Sequence, residues 1–573
     1  MTHPSTTPIV PGKLIPTVQG SHVSLITHAL FLIHPYLVDD CGLSFADVLF
    51  LLSTCKYFSL VRLKHISKMK LNIELGSPLI RTVLQGLGPN VKSASLDNTR
   101  WIGTVIARVP NPDKYVHLDY EYRKLLSTKL GCLSQMLLSR HFCSQDFIHF
   151  MILKRLDIRS VDFHVPWELL VNLEQLKCDF VCFTPDCHPP KLRVLNIIVC
   201  NEDFAEIRCC RSLSELTVET VARIGPARNY LAKDEFQLLE RLEVQNWASM
   251  NLNNIGLIPS LRFIEIEAEY ATNVSMAIYH QHLEELSLVV PNAMDITPLK
   301  SLTSLTSLFL VSHKLVDTSP LHNLINLEFL GLCQSIVSDF TPLASLVNLR
   351  EIDLREASNL NSIDFISSMP LIHTIDMFKT RVSDLSPLKN CFQLKYLNLE
   401  ETAVSDISAL KNLTLLSTLL LNMTMVSDLS PLTGLTALEE LDVSYTQVSN
   451  LNPIAHSTKM KELRASDANV TNEGVMALVS LQCLKRVCLS DNIHFSDLSF
   501  LRGHKTLKEL VVSNTAVADV SPLAEIFTLE NLYCYHTKIT TLEPLREIRL
   551  QILQCEHRLF DYTVANWKEC KSY

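Results

Sequence analysis

The feature that most constrains this 573-residue sequence is a leucine frame that returns about every 22 residues. The pattern L-x-x-L-x-L begins at Leu283, Leu305, Leu327, Leu349, Ile372, Leu394, Leu416, Leu438, Met460, Leu484, Leu507, Leu529 and Leu550. The steps are 22, 22, 22, 23, 22, 22, 22, 22, 24, 23, 22 and 21 residues. A register held this long marks a repeat array, in which each unit buries its apolar side only against its neighbours. A looser frame runs upstream through Leu133, Leu153, Leu173, Leu192, Leu213, Leu239 and Leu261, with steps of 19 to 26 residues. Before Leu133 there are only strand-like hints, around residues 91–96 and 115–118.

Residues 394–415 show the physics of one unit. Leu394, Leu397 and Leu399 face the core, and the strand from Tyr396 to Glu400 alternates in and out. Thr402 stands where such a turn takes a residue that ties down its backbone, as do Thr380, Thr424, Thr446, Thr515 and Thr537 in their units. Val404 and Ile407 return to the core. The segment Asp406-Ile407-Ser408-Ala409-Leu410 has sisters such as Asp384-Leu385-Ser386-Pro387-Leu388 and Asp428-Leu429-Ser430-Pro431-Leu432. Serine or threonine before proline reads as an N-cap followed by the first helical residue. Each unit is therefore expected to open a short helix or 3₁₀ turn on its outer side and return to the next strand. The expected fold is an α/β solenoid with a curved parallel sheet inside and short helical pieces outside. Burying each leucine contributes about 1.5–3 kcal/mol.

Composition narrows the function. The chain is 47% hydrophobic and 19% charged, with a net charge of -9. It lacks the basic stripe of a nucleic-acid binder and the polybasic run that an anionic membrane would hold. The apolar stretch 25–37 is too short to span a bilayer, and the N-terminus has no basic-then-apolar signal pattern. Seventeen cysteines invite a disulfide reading, but Cys178, Cys534 and Cys555 fall on core positions of the repeat and read as small hydrophobes. N-x-[ST] sequons at Asn273, Asn412, Asn422 and Asn469 lie inside repeats. The expected compartment is reducing, the cytoplasm or nucleus.

The recurring D-I-[ST]-P-L segment resembles the leucine-rich repeats of bacterial internalins and of a protein-phosphatase regulatory subunit. With threonine at the tie-down position, the repeat also resembles trypanosome repeat proteins that include adenylate-cyclase-regulator-like members. The resemblance covers residues 283–556 and, loosely, 133–282. It implies fold more than function, since this fold serves unrelated partners. Residues 25–66 leave the frame and show helical spacing. Leu25, then Ile33, Tyr36 and Leu37, then Leu43, Asp47 and Val48, then Cys55 and Phe58 resemble an F-box in order. Ile26 stands where that family has proline, and the insert before Asp47 is longer. The resemblance implies a ubiquitin-ligase linker protein as partner. The plainer reading is a helical cap over the end of the array.

No phosphate cradle, zinc-protease motif or nucleophile elbow occurs, and the sequence implies no catalysis and no cofactor. Cys178, Cys182, Cys187 and His188, with His164 upstream, lack the tight pairing of a structural zinc site and read as packing, as do Cys209 and Cys210. The expected site is the concave strand face. Two outward columns there bring together Phe309, Asp353, Arg355, Asp376, Phe378, Asn398, Glu400, Asp442 and Arg464, and near the end Tyr533 and Tyr535. Aromatic and arginine side chains anchor interfaces, and carboxylates steer a basic partner. The ordinary alternative is a solvated strand face. The expected organisation is a flexible segment at 1–20, an F-box-like or capping region at 21–70, irregular repeats at 71–282, regular repeats at 283–556 and a cap or tail at 557–573. The expected function is a non-catalytic protein-interaction scaffold or adaptor, with a regulatory subunit that grips an enzyme as the alternative.

Overall fold

A computed structural model describes residues 258–556 without a break. It also describes segments 154–159, 170–178, 183–184, 186–199, 207–220 and 236–246, residues Trp167 and Leu252, and strands Met69–Leu71, Ser93–Leu96, Gln135–Ser139 and Glu569–Ser572. Residues 25–66, which carry the F-box-like pattern, lie outside the described residues, as does the strand-like stretch 115–118.

The chain divides into two compact units, Met1–Leu192 and Arg193–Tyr573. In the first, the strands Met69–Leu71, Ser93–Leu96, Gln135–Ser139, Arg155–Arg159 and Gln175–Cys178 pair in sequence order, each parallel to the next. Leu156 pairs in register with Leu176, and both are buried. The loose upstream frame is therefore a set of real rungs. The strand at Met69–Leu71 gave no sequence signal.

In the second unit the ladder runs unbroken from Val194–Val199 to Glu569–Ser572, again in sequence order and all parallel. The register matches leucine to leucine. Leu286, Leu308, Leu330, Ile352, Ile375, Leu397, Leu419, Leu441, Leu463, Val487, Leu510, Leu532 and Leu553 stack one on the next. Each is at most 1% exposed, so the 22-residue period is the spacing of one continuous hydrophobic spine.

Strands are five residues long at Glu285–Val289, Ser307–Val311 and Phe329–Cys333 and three residues long from Glu351–Asp353 to Asn531–Tyr533. In each of these shorter coils the residue after the second outward position enters the left-handed region. Glu356, Lys379, Glu401, Met423, Tyr445, Asp467, Asp491, Asn514 and His536 have φ between 47° and 62°. None is glycine, so each bears a steric cost. The offset is a ladder bond past the strand end, as where the Glu401 N–H donates to the Asn422 carbonyl at 2.9 Å.

The tie-down column works as expected. The hydroxyls of Thr380, Thr402, Thr424, Thr446, Thr515 and Thr537 each donate to the carbonyl three residues back, at 2.6–2.9 Å.

Among the described residues every helical element is a 3₁₀ turn, from Ser275–Tyr279 to Glu543–Leu545. Short pieces suit that geometry. The capping differs from the sequence expectation. Serine or threonine is the first helical residue, not the cap, and makes no capping bond of its own. The aspartate two positions earlier does that work. Asp384 Oδ1 accepts the Ser386 N–H at 2.8 Å and Oδ2 accepts its hydroxyl at 2.8 Å. Asp317, Asp406, Asp428, Asp497 and Asp519 repeat the arrangement. The carboxylate only accepts and has two oxygens, so it takes both donors without adding a donor of its own.

Candidate functional site

The residues that could meet a partner are those the spine leaves on the strand face. The face carries three half-open columns where the sequence reading used two. The third precedes the central core residue of each strand and holds Phe329, Tyr396, Glu440, Glu462 and Arg486. Its signal was present as the polar residue just before that leucine.

At one end the face is aromatic. The rings of Phe309 and Phe329 stack with centroids 6.4 Å apart and 23° between planes. Gly331 gives the Phe309 ring its place, since a Cβ there would lie 2.4 Å from Phe309 Cδ2. Phe378 is half-buried further along the face.

The middle is charged. Arg355 grips Asp353 with its guanidinium, Nε at 2.9 and 3.0 Å and Nη2 at 2.7 Å, and its Nε lies 4.0 Å from Asp376. Further along the ladder, Arg464 reaches Glu440 at 3.4 Å and Asp442 at 3.7 Å and hydrogen-bonds Glu462, which also meets Arg486 at 3.5 Å. Between these clusters, the outward positions Asn398, Glu400, Leu420 and Asn422 carry no cation.

Ionisation follows from this layout. Burial raises the pKa of Asp376, with Asp353 adding repulsion, although the Phe378 N–H opposes the shift. Burial and then Asp442 raise Glu400. Burial and then Glu462 raise Glu440. The Tyr396 hydroxyl is pushed up to about 12 by burial, with Asp376 and Glu400 behind it. Burial is the main cause at all four groups on this face, and at each a neighbouring carboxylate adds repulsion. Asn422 Oδ1 is buried there and accepts no hydrogen bond.

Several predicted site residues also have a backbone role that alternation alone could not reveal. Asp353, Asp376, Asn398 and Asp442 each accept the N–H two residues on, at 2.8–3.1 Å. Asn398 and Asp442 are consequently only 6% exposed. Tyr533 and Tyr535 stand apart from the charged clusters, and the Tyr535 ring meets His536 edge-on at 5.4 Å.

The cysteine–histidine group is described only in part. Cys178 is buried on its strand, and His188 Nδ1 lies 3.2 Å from the Thr184 carbonyl. His164 and Cys182 lie outside the described residues. Among the described residues no group of three His, Cys, Asp or Glu is placed to hold a metal ion, and no helix is long and apolar enough to cross a membrane. The described cysteines are free thiols, with Cys178, Cys534 and Cys555 in the core.

The sequence matches no protein-family model and no curated protein. Solved structures do match. A leucine-rich-repeat protein of Leptospira interrogans is similar over 61% of this chain and 91% of its own, at 15% identity and a TM-score of 0.51. TLR13 in its complex with ssRNA13 is similar over 82% of this chain and 78% of its own, at 15% identity and a TM-score of 0.51. An internalin of Listeria monocytogenes is 26% identical over 54% of this chain and 85% of its own, with a TM-score of 0.43. With the parallel ladder, the first two show the fold to be a leucine-rich-repeat solenoid.

Proposed function

We propose that this chain is a non-catalytic protein-interaction scaffold whose strand face between Arg355 and Arg464 receives a basic segment of a partner protein. The observation that carries the proposal is the carboxylate surplus there. Asp376, Glu400 and Glu440 resist ionisation first through burial and then through a neighbouring carboxylate, and a lysine or arginine from a partner would offset that carboxylate repulsion. The Asn422 acceptor without a donor lies in the same region. Phe309, Phe329 and Phe378 supply apolar anchors beside the charge.

Glu400 and Glu440 are the residues to test, because neither accepts a backbone N–H as Asp353, Asp376 and Asp442 do. The full chain and its Glu400→Lys/Glu440→Lys variant would each be used to capture partners, identified by mass spectrometry. A basic partner retained by the parent and lost by the variant supports the proposal. Identical partner sets from both chains would remove the strand face from consideration.

The ligase-adaptor form of this function rests on the residue pattern at 25–66 alone. It expects a ligase linker protein to co-purify with the full chain and to be lost on Leu37→Asp. The regulatory-subunit form expects an enzyme among the partners lost with the charge reversal.

A further inference from the structure

Between residues 281 and 528 each coil joins its outer 3₁₀ turn to the next strand through a two-residue turn, and the residues of these turns are exposed apart from the half-buried Ala437 and Thr506. Several of these turns are small or polar, such as Thr303-Ser304 before the central coils and Thr436-Ala437 and Thr458-Lys459 after them. Phe527 stands alone in a later turn, 71% exposed, whereas five consecutive turns each hold one large apolar side chain. These are Ile325, Val347, Leu371, Phe392 and Leu415, exposed by 52, 45, 37, 52 and 43%.

The turns lie directly against one another. The Asn348 side-chain amide donates to the Ile325 carbonyl at 2.9 Å, and that of Asn326 reaches back to Thr303 at 2.9 Å. Ile325, Val347 and Phe392 hold the first position of their turns and Leu371 and Leu415 the second, so the five form an apolar ridge staggered by one residue and about 19 Å long, at roughly 4.8 Å per strand step. Apolar surface gathered into a line, unlike single exposed residues, marks a contact surface.

Charge says what covers it. The residues flanking these turns hold four cations, Arg350, Lys389, Lys395 and Lys411, and one carboxylate, Glu328, which pairs with Arg350 at 3.2 Å. Lys389, Lys395 and Lys411 are exposed and make no ion pair among the described residues. The aspartates that cap the 3₁₀ turns stand at the opposite ends of those turns, away from the ridge.

We infer that this edge docks an acidic amphipathic segment of a protein partner, with its apolar side on the ridge and its carboxylates on the flanking lysines. A helix of about 13 residues matches the ridge in length. An anionic membrane fits less well, because surface binding of that kind draws on a dense run of lysine and arginine. The site is separate from the strand face and does not depend on the function proposed for it.

The test uses the full chain and a fluorescein-labelled helical peptide of about that length, with leucines on one side and glutamates flanking them. Two control peptides replace either the glutamates by lysine or the leucines by serine. By anisotropy the acidic amphipathic peptide should bind at least about tenfold tighter than either control. Ile325→Ser/Phe392→Ser, and separately Lys389→Glu/Lys395→Glu/Lys411→Glu, should each weaken it by at least about tenfold. Glu400→Lys/Glu440→Lys should leave it unchanged, which separates failure here from failure of the strand-face reading.

All five substituted edge residues are exposed, so unfolding midpoints should match the parent. Where one falls, the single variants Phe392→Ser and Leu415→Ser are read instead. Equal binding of the three peptides, or undiminished binding by the edge variants, overturns the inference. So does loss of binding in the Glu400/Glu440 variant, or retention on phosphatidylserine vesicles without peptide binding.

Discussion

Asn492 gives the sharpest test of how the solenoid is held together. It occupies the tie-down column, where six coils place threonine, and is 2% exposed. Its amide nitrogen donates to the carbonyls of Ala465, Leu489 and Ser490 at 2.8, 2.9 and 3.1 Å. Its Oδ1 accepts the N–H groups of Val470 and Ala468 at 2.8 and 3.2 Å. It thus fastens the preceding coil, which has the longest step of the regular frame, 24 residues, and two left-handed residues, Asp467 and Asn469. Asn492→Ala would leave two buried N–H groups without an acceptor. Each such orphan costs about 1–3 kcal/mol, so a loss of about 3 kcal/mol is expected, with water entry accounting for the lower half of the range. Thr424→Ala, which removes one bond to the Leu421 carbonyl, should cost about 1 kcal/mol. A repeat array can open locally, so the readout is hydrogen exchange at Ala468 and Val470 together with urea unfolding. Exchange there should speed up by about two orders of magnitude. If Asn492→Ala costs no more than Thr424→Ala and both amides exchange at the parent rate, the tie-down argument fails.

Three further outcomes follow from the same structure. Gly474→Ala would put a Cβ 2.2 Å from the Ser449 carbonyl oxygen, against backbone held by the bond from the Leu451 N–H to Gly474; a loss of about 1–3 kcal/mol in urea unfolding is expected. Leu397→Ala, in the fully buried spine, should cost about 2–5 kcal/mol, whereas Glu400→Gln should stay within about 0.5 kcal/mol. The capping aspartates Asp295, Asp339, Asp384, Asp428 and Asp519 have lowered pKa values, chiefly through bonds from the serine or threonine two residues on. Their contribution is therefore present above the unfolded aspartate value of about 3.9 and is lost as pH falls through the lower folded values. An acid titration of unfolding should show this loss, and Asp384→Asn/Asp428→Asn/Asp519→Asn should reduce it; an unchanged acid limb would contradict the capping geometry.

The fold was legible because one residue type at one spacing settles it. A leucine that returns every coil can be buried only if coils stack, and every frame leucine from Leu283 to Leu550 is buried. Helix capping was harder to read because Ser386 and its sisters can act either as cap or as first helical residue. The choice is made by Asp384 two positions earlier, whose two oxygens take both donors. The D-x-[ST]-P spacing carried that signal. On the strand face, alternation says which side of the sheet a residue leaves by, but not whether its side chain folds back. Asp442 leaves by the open side and then turns onto the Ser444 N–H at 2.8 Å, which buries it. The third column was missed for the opposite reason. Glu440 and Tyr396 sit before the central leucine, where the alternation already sets them outward, but the expected site used only the two columns after it.

The repeated backbone also explains why the two candidate surfaces can coexist in the same coils. The spine supplies the stacking energy through residues such as Ile375, Leu397 and Leu419, all fully buried, so none of them reaches either surface. Substituting an exposed turn residue or an outward strand residue therefore leaves the spine unchanged. The coils that place Asp376 and Glu400 on the strand face also place Phe392, Leu415, Lys389 and Lys411 at the turn edge. The two surfaces have opposite charge, so a partner segment steered to one is repelled by the other. A single basic segment could not occupy both. Charge reversal at Glu400 and Glu440 and charge reversal at Lys389, Lys395 and Lys411 should therefore act on different partners.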